Sequence, residues 1–363
     1  MNSRYLKFAP QLEVITKDEA SLSNDILEAM AALSQKVLDL RRHASRGAFA
    51  RSNGFLKGEL NVSGDLPEHL RQGVFARAAT YPVVIRLSSA SSDVVSDSIP
   101  QVRGMAIKVL NVDGARLLPD DRGHNQDFLL ANVPVFAPGT LALYKASLSA
   151  NKVIGGLPGF VQLGLAATAH GIEKAEAVAG AEPSAVLRTL ASDNANPLGE
   201  TYHSMAAMRF GDYVAKISAA PLSANVKALT GKMPNEVGDA TMRDLVVAHF
   251  RREGAEYQLR AQLCVDLDRM PIEDATVLWP EEISPQQAIA TLRIPPQEPY
   301  SPARRVFGDD VLSFTAWNGI EAHRPLGAIM RIRRSVYEQS SRFRHEMNVQ
   351  PRVEPSTLSE IPD

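Results

Sequence analysis

Four short runs in which apolar and polar residues alternate follow one another in the first part of the chain, with no helical pattern between them. They cover residues 55–62, 83–88, 104–110 and 127–131, and clusters of Gly, Pro, Asp and Ser separate them. Alternation with a period of two is typical of strands that bury one face. The runs predict several consecutive antiparallel strands, so the centre of the fold is expected to be an antiparallel sheet or barrel.

Helical patterns flank and interrupt these strands. They lie at residues 18 to about 42, within 140–195 and from Pro325 to about His345, and strand-like patterns return at 205–219, 257–267 and 289–294. This order argues against regular alternation of strand and helix along a parallel sheet. It predicts an α+β fold in which an antiparallel β-barrel core carries an N-terminal helix, inserted helices and a C-terminal helix.

The composition excludes several classes of function. A net charge of -2 leaves no electrostatic footprint for nucleic acid, and the single cysteine, Cys264, has no partner for a disulfide. The first residues lack the pattern of a secretory signal, and no apolar stretch reaches bilayer length. We therefore expect a cytoplasmic protein with no membrane or nucleic-acid partner, built as one elaborated domain or two lobes.

The predicted C-terminal helix carries the most informative side chains. Arg333, Tyr337, Ser340 and Arg344 follow spacings of four, three and four and therefore share one face. This face fits an anionic or metal-bearing ligand, but taken alone it is better explained as a solvated basic surface.

Two strand runs and one helix exit carry further polar candidates. Arg86 and Ser88 share a face of the run 83–88, Asn132 follows the run 127–131, and His43 lies where the first helical pattern ends. Taken one by one, these residues are also explained by a solvated arginine, a strand-end serine and a turn asparagine. Motifs of the common nucleotide-binding, hydrolase and zinc enzymes are absent.

Read together, these segments resemble the haem catalase superfamily, in the same order along residues 36 to 350. The matching segments are Arg-His-Ala after the first helix, Ile-Arg-Leu-Ser, Val-Arg-Gly-Met-Ala-Ile-Lys, Asn-Val-Pro-Val-Phe, Trp279-Pro280 and Arg333-Arg-Ser-Val-Tyr337. The resemblance implies one catalase-like, haem-binding domain over residues 1–350. Residues 351–363, rich in Pro, Ser and Glu, are predicted to form a flexible tail.

The resemblance also implies a role for each candidate residue. Tyr337 would be the proximal ligand of the iron of haem b, with Arg333 holding its oxygen ionised. The catalytic residues would be His43 as distal base, Asn132 as the amide that orients the peroxide and Ser88 as the hydroxyl that fixes the imidazole. The other haem contacts would be Arg86 and Arg344 at the propionates, Arg41 in place of a missing arginine contact, and Phe136.

The activity implied is disproportionation of hydrogen peroxide to water and oxygen through a ferryl intermediate. Two alternatives stay open: a peroxidase or hydroperoxide-converting enzyme that acts on organic hydroperoxides, and a haem carrier without catalysis. Leu40 stands where the family usually has an arginine, and the loop after His43 is longer than usual. The short chain resembles the minimal members of the superfamily, so we expect no bound NADPH, and a homo-oligomer, either dimer or tetramer.

Overall fold

The computed structural model describes residues 4–118, 123–154 and 193–363, and the side chains of 150–154 are not described. Nine strands in this part of the chain form one antiparallel sheet. The strands are β1 (Arg51–Val62), β2 (Ala79–Ser89), β3 (Arg103–Val109), β4 (Gln126–Ala131), β5 (Tyr202–His203), β6 (Met208–Phe210), β7 (Tyr213–Pro221), β8 (Ala255–Leu263) and β9 (Gln287–Ile294). Strands β1 to β4 pair in chain order, β4 pairs with β5, and β5 pairs with β7. Strand β7 pairs with β8, β8 with β9 and β9 with β1, so eight strands close into a barrel, and β6 pairs with β7 outside this closed ring.

The predicted α+β fold with a barrel core is confirmed. All four early runs lie in β1 to β4, and the last two strand-like patterns correspond to β8 and β9. The pattern at 205–219 is two strands instead of one, because Gly211, at φ +61°, turns the chain between β6 and β7. A positive φ is accessible to glycine without a steric cost.

Alternation places one face of each strand inside the barrel. Val83, Ile85 and Leu87 of β2 are fully or almost fully buried and belong to the barrel core. The neighbouring positions Arg86 and Ser88 therefore lie on the outer face of the barrel. The core continues through residues of the other strands: Leu56, Leu60, Ile107, Phe128, Leu130, Ile217, Leu259 and Leu292.

Helices in the described part of the chain pack around the barrel. They are α1 (Glu19–Arg41), α2 (Leu141–Ile154), α3 (Ala224–Lys227), α4 (Thr241–Phe250), α5 (Pro302–Val306) and α6 (Ala328–Met347). Single 3-10 turns lie at Pro10–Leu12, Glu68–Leu70, Gly73–Phe75, Pro197–Gly199, Glu321–His323 and Leu358–Glu360, and a π-helical turn lies at Phe307–Val311. Of the helical segments predicted within 140–195, the part from 155 to 192 lies outside the described residues.

α2 and α6 both pack against α1, and side chains of all three helices form one apolar cluster. Ile26, Met30, Leu141, Ile332 and Val336 are among its buried members. α1 agrees with its predicted bounds and ends where Arg42 adopts a left-handed conformation at φ 56°. α6 begins three residues after the predicted Pro325.

Gly327 marks the start of α6. It has φ +89°, and a Cβ there would lie 2.4 Å from the backbone oxygen of Ile272. Only glycine fits this approach, which fixes the first turn of α6 against the segment after β8.

The C-terminal residues differ from the predicted flexible tail, because the structure packs them against the barrel. Ile361 is 2% exposed within an apolar cluster, and Val353 forms a bridge to Leu312. The carboxylate of Glu354 also lies 2.8 Å from Lys108 Nζ. Apolar side chains and one buried charge therefore anchor a segment whose composition alone predicts fraying.

No helix in the described part of the chain is long and apolar enough to cross a membrane. Cys264 is a free, buried thiol directly after β8.

Candidate functional site

A narrow cleft, here called the Tyr337 cleft, lies between the outer face of the barrel and α6. Outward-facing residues of β2, β3 and β4 form its floor, including Arg86, Ser88 and Ala106. Its opposite wall carries Arg333 and Tyr337 of α6. The remaining lining residues are Arg46, Ala48, Phe49, Gly104, Met105, Leu129, Leu130, Ala131, Met205 and Phe314. The enclosed space is about 70 Å³, and about 550 Å³ when the open mouth is included.

Tyr337 and Arg333 lie one turn apart on α6 and both face the cleft. The guanidinium of Arg333 lies over the ring of Phe136, 4.7 Å from its centroid, and donates to Met330 Sδ at 3.5 Å. Burial raises the pKa of the neighbouring Tyr144, and the charge of Arg333 opposes that shift. The basic face of α6 is therefore only partly exposed to solvent, because its residues Arg333 and Tyr337 line the Tyr337 cleft.

Three arginines, here called the arginine cluster, surround the carboxylate of Asp309 on the π-helical turn. Arg46 Nη1 lies 3.2 Å and Arg86 Nη2 lies 3.4 Å from Asp309 Oδ1, and Arg344 donates to the backbone oxygen of Asp309. Ser52 donates to the second carboxylate oxygen at 2.7 Å. Two members of the cluster, Arg46 and Arg86, also line the Tyr337 cleft.

The arginine cluster is strongly buried and carries an excess of positive charge. Burial lowers the pKa of Arg46, and the charges of Arg86 and Arg344 lower it further. Burial likewise lowers the pKa of Arg344 to about 10. Within the part of the chain that the structure describes, the buried Nε atoms of Arg86 and Arg344 have no hydrogen-bond partner. One edge of the cleft is therefore suited to bind anionic groups, particularly carboxylates.

The segment 46–49 reaches the cleft because α6 holds it in place. Gly47 N donates to Ser340 Oγ at 2.9 Å, and Asn348 makes two hydrogen bonds to the backbone of Ala44. The segment then brings Phe49, at φ 53°, against the barrel wall.

Phe49 and Ser88 meet above Gly104 on β3. A Cβ at Gly104 would lie 2.8 Å from both the Phe49 ring and Ser88 Oγ, so any larger residue would displace one of them. The residue placed beside the Ser88 hydroxyl is therefore Phe49, where the sequence interpretation expected the imidazole of His43.

His43 does not line the cleft. Its Nε2 lies 2.8 Å from Asp310 Oδ1 and 3.3 Å from Asn348 Nδ2, and its side chain is 53% exposed. The structure does not bring it together with Ser88 or Tyr337. Its role as a base stays a prediction, and that role requires the Asp310 contact to break.

Asn132 does not line the cleft either. Its Oδ1 accepts from Arg103 N at 2.7 Å, and its Nδ2 donates to Glu200 Oε2 at 3.3 Å. Alternation along β4 explains this position, because Leu129 and Ala131 point outward whereas Asn132 is an even number of residues from Phe128, which belongs to the barrel core.

Of the other residues predicted to contact haem, only one lines the cleft. Arg86 lines it, and Arg344 belongs to the arginine cluster behind it. Phe136 supports Arg333 from the side. Arg41 lies elsewhere, in a two-bond ion pair with Asp93 at 2.8 and 2.9 Å.

Sequence reasoning missed Arg46, Phe49, Met205, Asp309 and Phe314. For Arg46 and Phe49 the only sequence signal was the glycine-containing break after α1, and the other three stand outside any motif. Among the described residues no group of three or more His, Cys, Asp or Glu is placed to hold a metal ion, and Tyr337 belongs to none of these residue types.

The fold is similar to that of solved catalases. A fungal catalase matches with a TM-score of 0.57 and 15% identity, over 86% of this chain and 61% of that one. Catalase A from Saccharomyces cerevisiae matches with a TM-score of 0.59 and 14% identity, over 86% of this chain and 65% of that one. The chain has the catalase fold.

The chain spans less than two thirds of the length of these two catalases. At such identities the likeness establishes the fold alone. No family model and no curated protein matches the sequence. The Tyr337 cleft lies on the outer face of this barrel, and its chemistry depends on this chain's own residues.

Proposed function

We propose that this chain binds haem b in the Tyr337 cleft, with Tyr337 as the iron ligand, and consumes peroxides. The observation that carries the proposal is the pairing of Tyr337 and Arg333 on the wall of an apolar cleft whose edge is lined by Arg46 and Arg86. A ferric porphyrin with two carboxylates matches these features, since it is flat, largely apolar and anionic at one edge.

The residues fit this group by their chemistry. A phenol has a pKa near 10, so a phenolate at neutral pH requires roughly 4 kcal/mol of stabilisation. A bound ferric ion would supply that stabilisation, and Arg333 lies one turn away on the same face of α6. Arg46 and Arg86, which line the edge of the cleft, offer guanidinium donors to carboxylates.

The size of the cleft adds a requirement. Pockets that enclose small-molecule ligands usually measure about 300–1,000 Å³. The Tyr337 cleft, at about 70 Å³, is several times smaller. Binding of haem therefore requires α6 or the segment 46–49 to move away from the barrel.

Peroxide consumption needs a group that removes and returns a proton. No His, Asp or Glu is among the cleft-lining residues that the structure describes. Disproportionation of hydrogen peroxide by this chain would therefore use His43 after it leaves Asp310, or a water held by Ser88. Oxidation of a second substrate by an organic hydroperoxide is the alternative reaction on the same site.

A second candidate function is haem binding without turnover. The specific observation in its favour is that the ring of Phe49 lies beside Ser88, where a base would be needed. A haem carrier needs Tyr337 as the iron ligand and arginines that bind the haem carboxylates, but it does not need a catalytic base.

Absorption spectra of the purified full chain with added ferric haem test the proposal. We expect a tyrosinate-type ferric spectrum that Tyr337→Phe abolishes. Tyr144→Phe is the matched control, since Tyr144 lies in the same apolar cluster and is not among the cleft-lining residues. An unchanged spectrum in Tyr337→Phe would overturn the ligand assignment.

Two assays on the haem-loaded protein then separate the three functions. Oxygen released from hydrogen peroxide indicates disproportionation. Oxidation of a reducing dye by an organic hydroperoxide indicates peroxidase-type activity. A tyrosinate spectrum with neither activity indicates the carrier.

A further inference from the structure

A second cavity, here called the Lys216 cavity, lies on the outer face of the barrel beside β5, β7 and β8. It encloses about 390 Å³, within the range of small-molecule pockets. The segment around Trp279 covers it, and Met205 lines both this cavity and the Tyr337 cleft.

Strand pairing explains why polar residues meet here. His203 on β5 pairs with Ser218 on β7, and Lys216, two positions before Ser218, pairs with Gln262 on β8. All four therefore share the outer face of the barrel. Lys216, Ser218 and Gln262 are nonetheless at least nine-tenths buried, because the cover packs over them.

Lys216 has few partners for a buried amine. Its Nζ donates to the backbone oxygen of Val277 at 3.2 Å and lies 4.9 Å from the ring centroid of Trp279. Among the described residues, no carboxylate lies within ion-pair distance of it. A buried ammonium without a counter-ion is costly, so the environment favours the neutral amine.

The lowered pKa values of Lys216 and its neighbour His203 are consistent with a neutral amine. Burial lowers the pKa of Lys216 to about 7, although the charges of Asp274 and Cys264 oppose the shift. Burial and the charges of Arg260 and Lys216 lower the pKa of His203 to about 4, so its imidazole is neutral at pH 7. A neutral primary amine in a desolvated pocket is a nucleophile toward carbonyl carbon.

The walls restrict the ligand. Pro134, Met205, Leu278, Trp279 and Pro280 are apolar, and the exposed carboxylates of Glu281 and Glu282 lie at the rim. These two negative charges disfavour anionic compounds. A neutral ligand with an apolar body fits this lining best.

We propose that the Lys216 cavity takes up a neutral, largely apolar aldehyde and that Lys216 Nζ condenses with it. The nitrogen lone pair attacks the carbonyl carbon to give a carbinolamine. The carbonyl oxygen then leaves as water with the two amine protons, and a carbon–nitrogen double bond forms. The condensation is reversible by hydrolysis and needs no further reactant.

Reductive trapping on the full chain tests the proposal. The probe is benzaldehyde with cyanoborohydride at pH 7, and modified lysines are identified by peptide mass spectrometry over time. At that pH the free-amine fraction of Lys216 exceeds that of an exposed lysine by about a thousandfold. We expect Lys216 to be labelled at least about tenfold faster than the exposed Lys227, because lower basicity offsets part of that advantage.

Two variants show whether the fast adduct forms at Lys216. Lys216→Arg should abolish the fast adduct, whereas Lys227→Arg should leave it unchanged, with both variants checked for an unaltered thermal transition. Added benzoate should not protect Lys216, since the rim disfavours anions. Equal or slower labelling of Lys216, or protection by benzoate, would overturn the proposal. The test does not depend on haem, so failure of the haem proposal leaves it intact.

Discussion

The imidazole Nε2 of His43 and the carboxylate Oδ1 of Asp310 lie 2.8 Å apart, outside the cleft that Tyr337 lines. Together with Asn348, which lies 3.3 Å from the same nitrogen, they connect the end of α1 to the π-helical turn and the end of α6. Asp310 is adjacent to Asp309, so this contact also holds the turn that supports the arginine cluster.

The first prediction concerns His43→Ala. Exposed ion pairs contribute about 0–1 kcal/mol, and His43 is half exposed, so we expect a loss of unfolding free energy of at most about 1 kcal/mol in urea denaturation. Haem binding should persist, because His43 does not line the cleft, and peroxide consumption should persist if a water held by Ser88 carries the proton. Loss of peroxide consumption with the haem spectrum retained would show instead that His43 moves into the cleft and acts as the base.

The second prediction concerns Phe49→His, which would place an imidazole beside the hydroxyl of Ser88. Histidine tolerates the positive φ at this position better than most residues. General-base catalysis typically contributes about 10²–10⁴-fold, so we expect oxygen release from hydrogen peroxide by the haem-loaded variant to rise at least about tenfold.

Phe49→Leu is the control for this gain, since it opens the same space without adding a base. Equal rates in the two variants would mean that access to the cleft limits the reaction. No gain in either would indicate that position 49 does not face the bound peroxide.

Local patterns in the sequence were sufficient to predict α1, the first four strands and the face of α6 that carries Tyr337. The stripe of Ile26, Met30 and Val37 predicted α1, alternation predicted β1 to β4, and helical spacing alone put Arg333 and Tyr337 on one face. Each of these inferences depends on a few neighbouring residues.

The opposite wall depends on distant contacts and was not predictable in this way. Whether His43 or Phe49 reaches the cleft depends on Ser340 and Asn348, which tie the loop to a helix almost 300 residues away. The packed C-terminal segment likewise depends on Lys108, on a strand about 250 residues earlier.

The third prediction concerns pH and His323. This side chain is completely buried among Phe75, Phe128 and Phe210, and burial lowers its pKa to about 3. Below pH 6.5 the unfolded chain binds a proton at this residue and the folded protein does not, so stability falls as pH falls toward 3. Between pH 7 and pH 5 we expect this histidine alone to lower the unfolding free energy by about 2 kcal/mol.

His323→Phe should reduce that pH dependence by about the same amount in urea denaturation at the two pH values. The variant should be less stable at pH 7, because Val74 N loses its acceptor at 3.0 Å. A pH dependence equal to that of the unmodified protein would contradict the assignment to His323.

The fourth prediction concerns Lys108→Met. Lys108 Nζ is completely buried and lies 2.8 Å from both Asp127 and Glu354. Burial raises the pKa of Asp127, and the Lys108 charge is the main interaction that opposes the shift. Without the lysine, a buried carboxylate loses its cation, and such changes typically cost about 3–5 kcal/mol.

Lys57→Met is the matched control for Lys108→Met. Lys57 also pairs with the C-terminal segment, but its partner Asp363 is almost fully exposed, so its loss should cost at most about 1 kcal/mol. Adding Asp127→Asn to Lys108→Met should restore part of the stability, because the uncompensated charge is removed. If Lys108→Met costs no more than Lys57→Met, the ion pair does not anchor the C-terminal segment, and burial of Ile361 has to account for its packing.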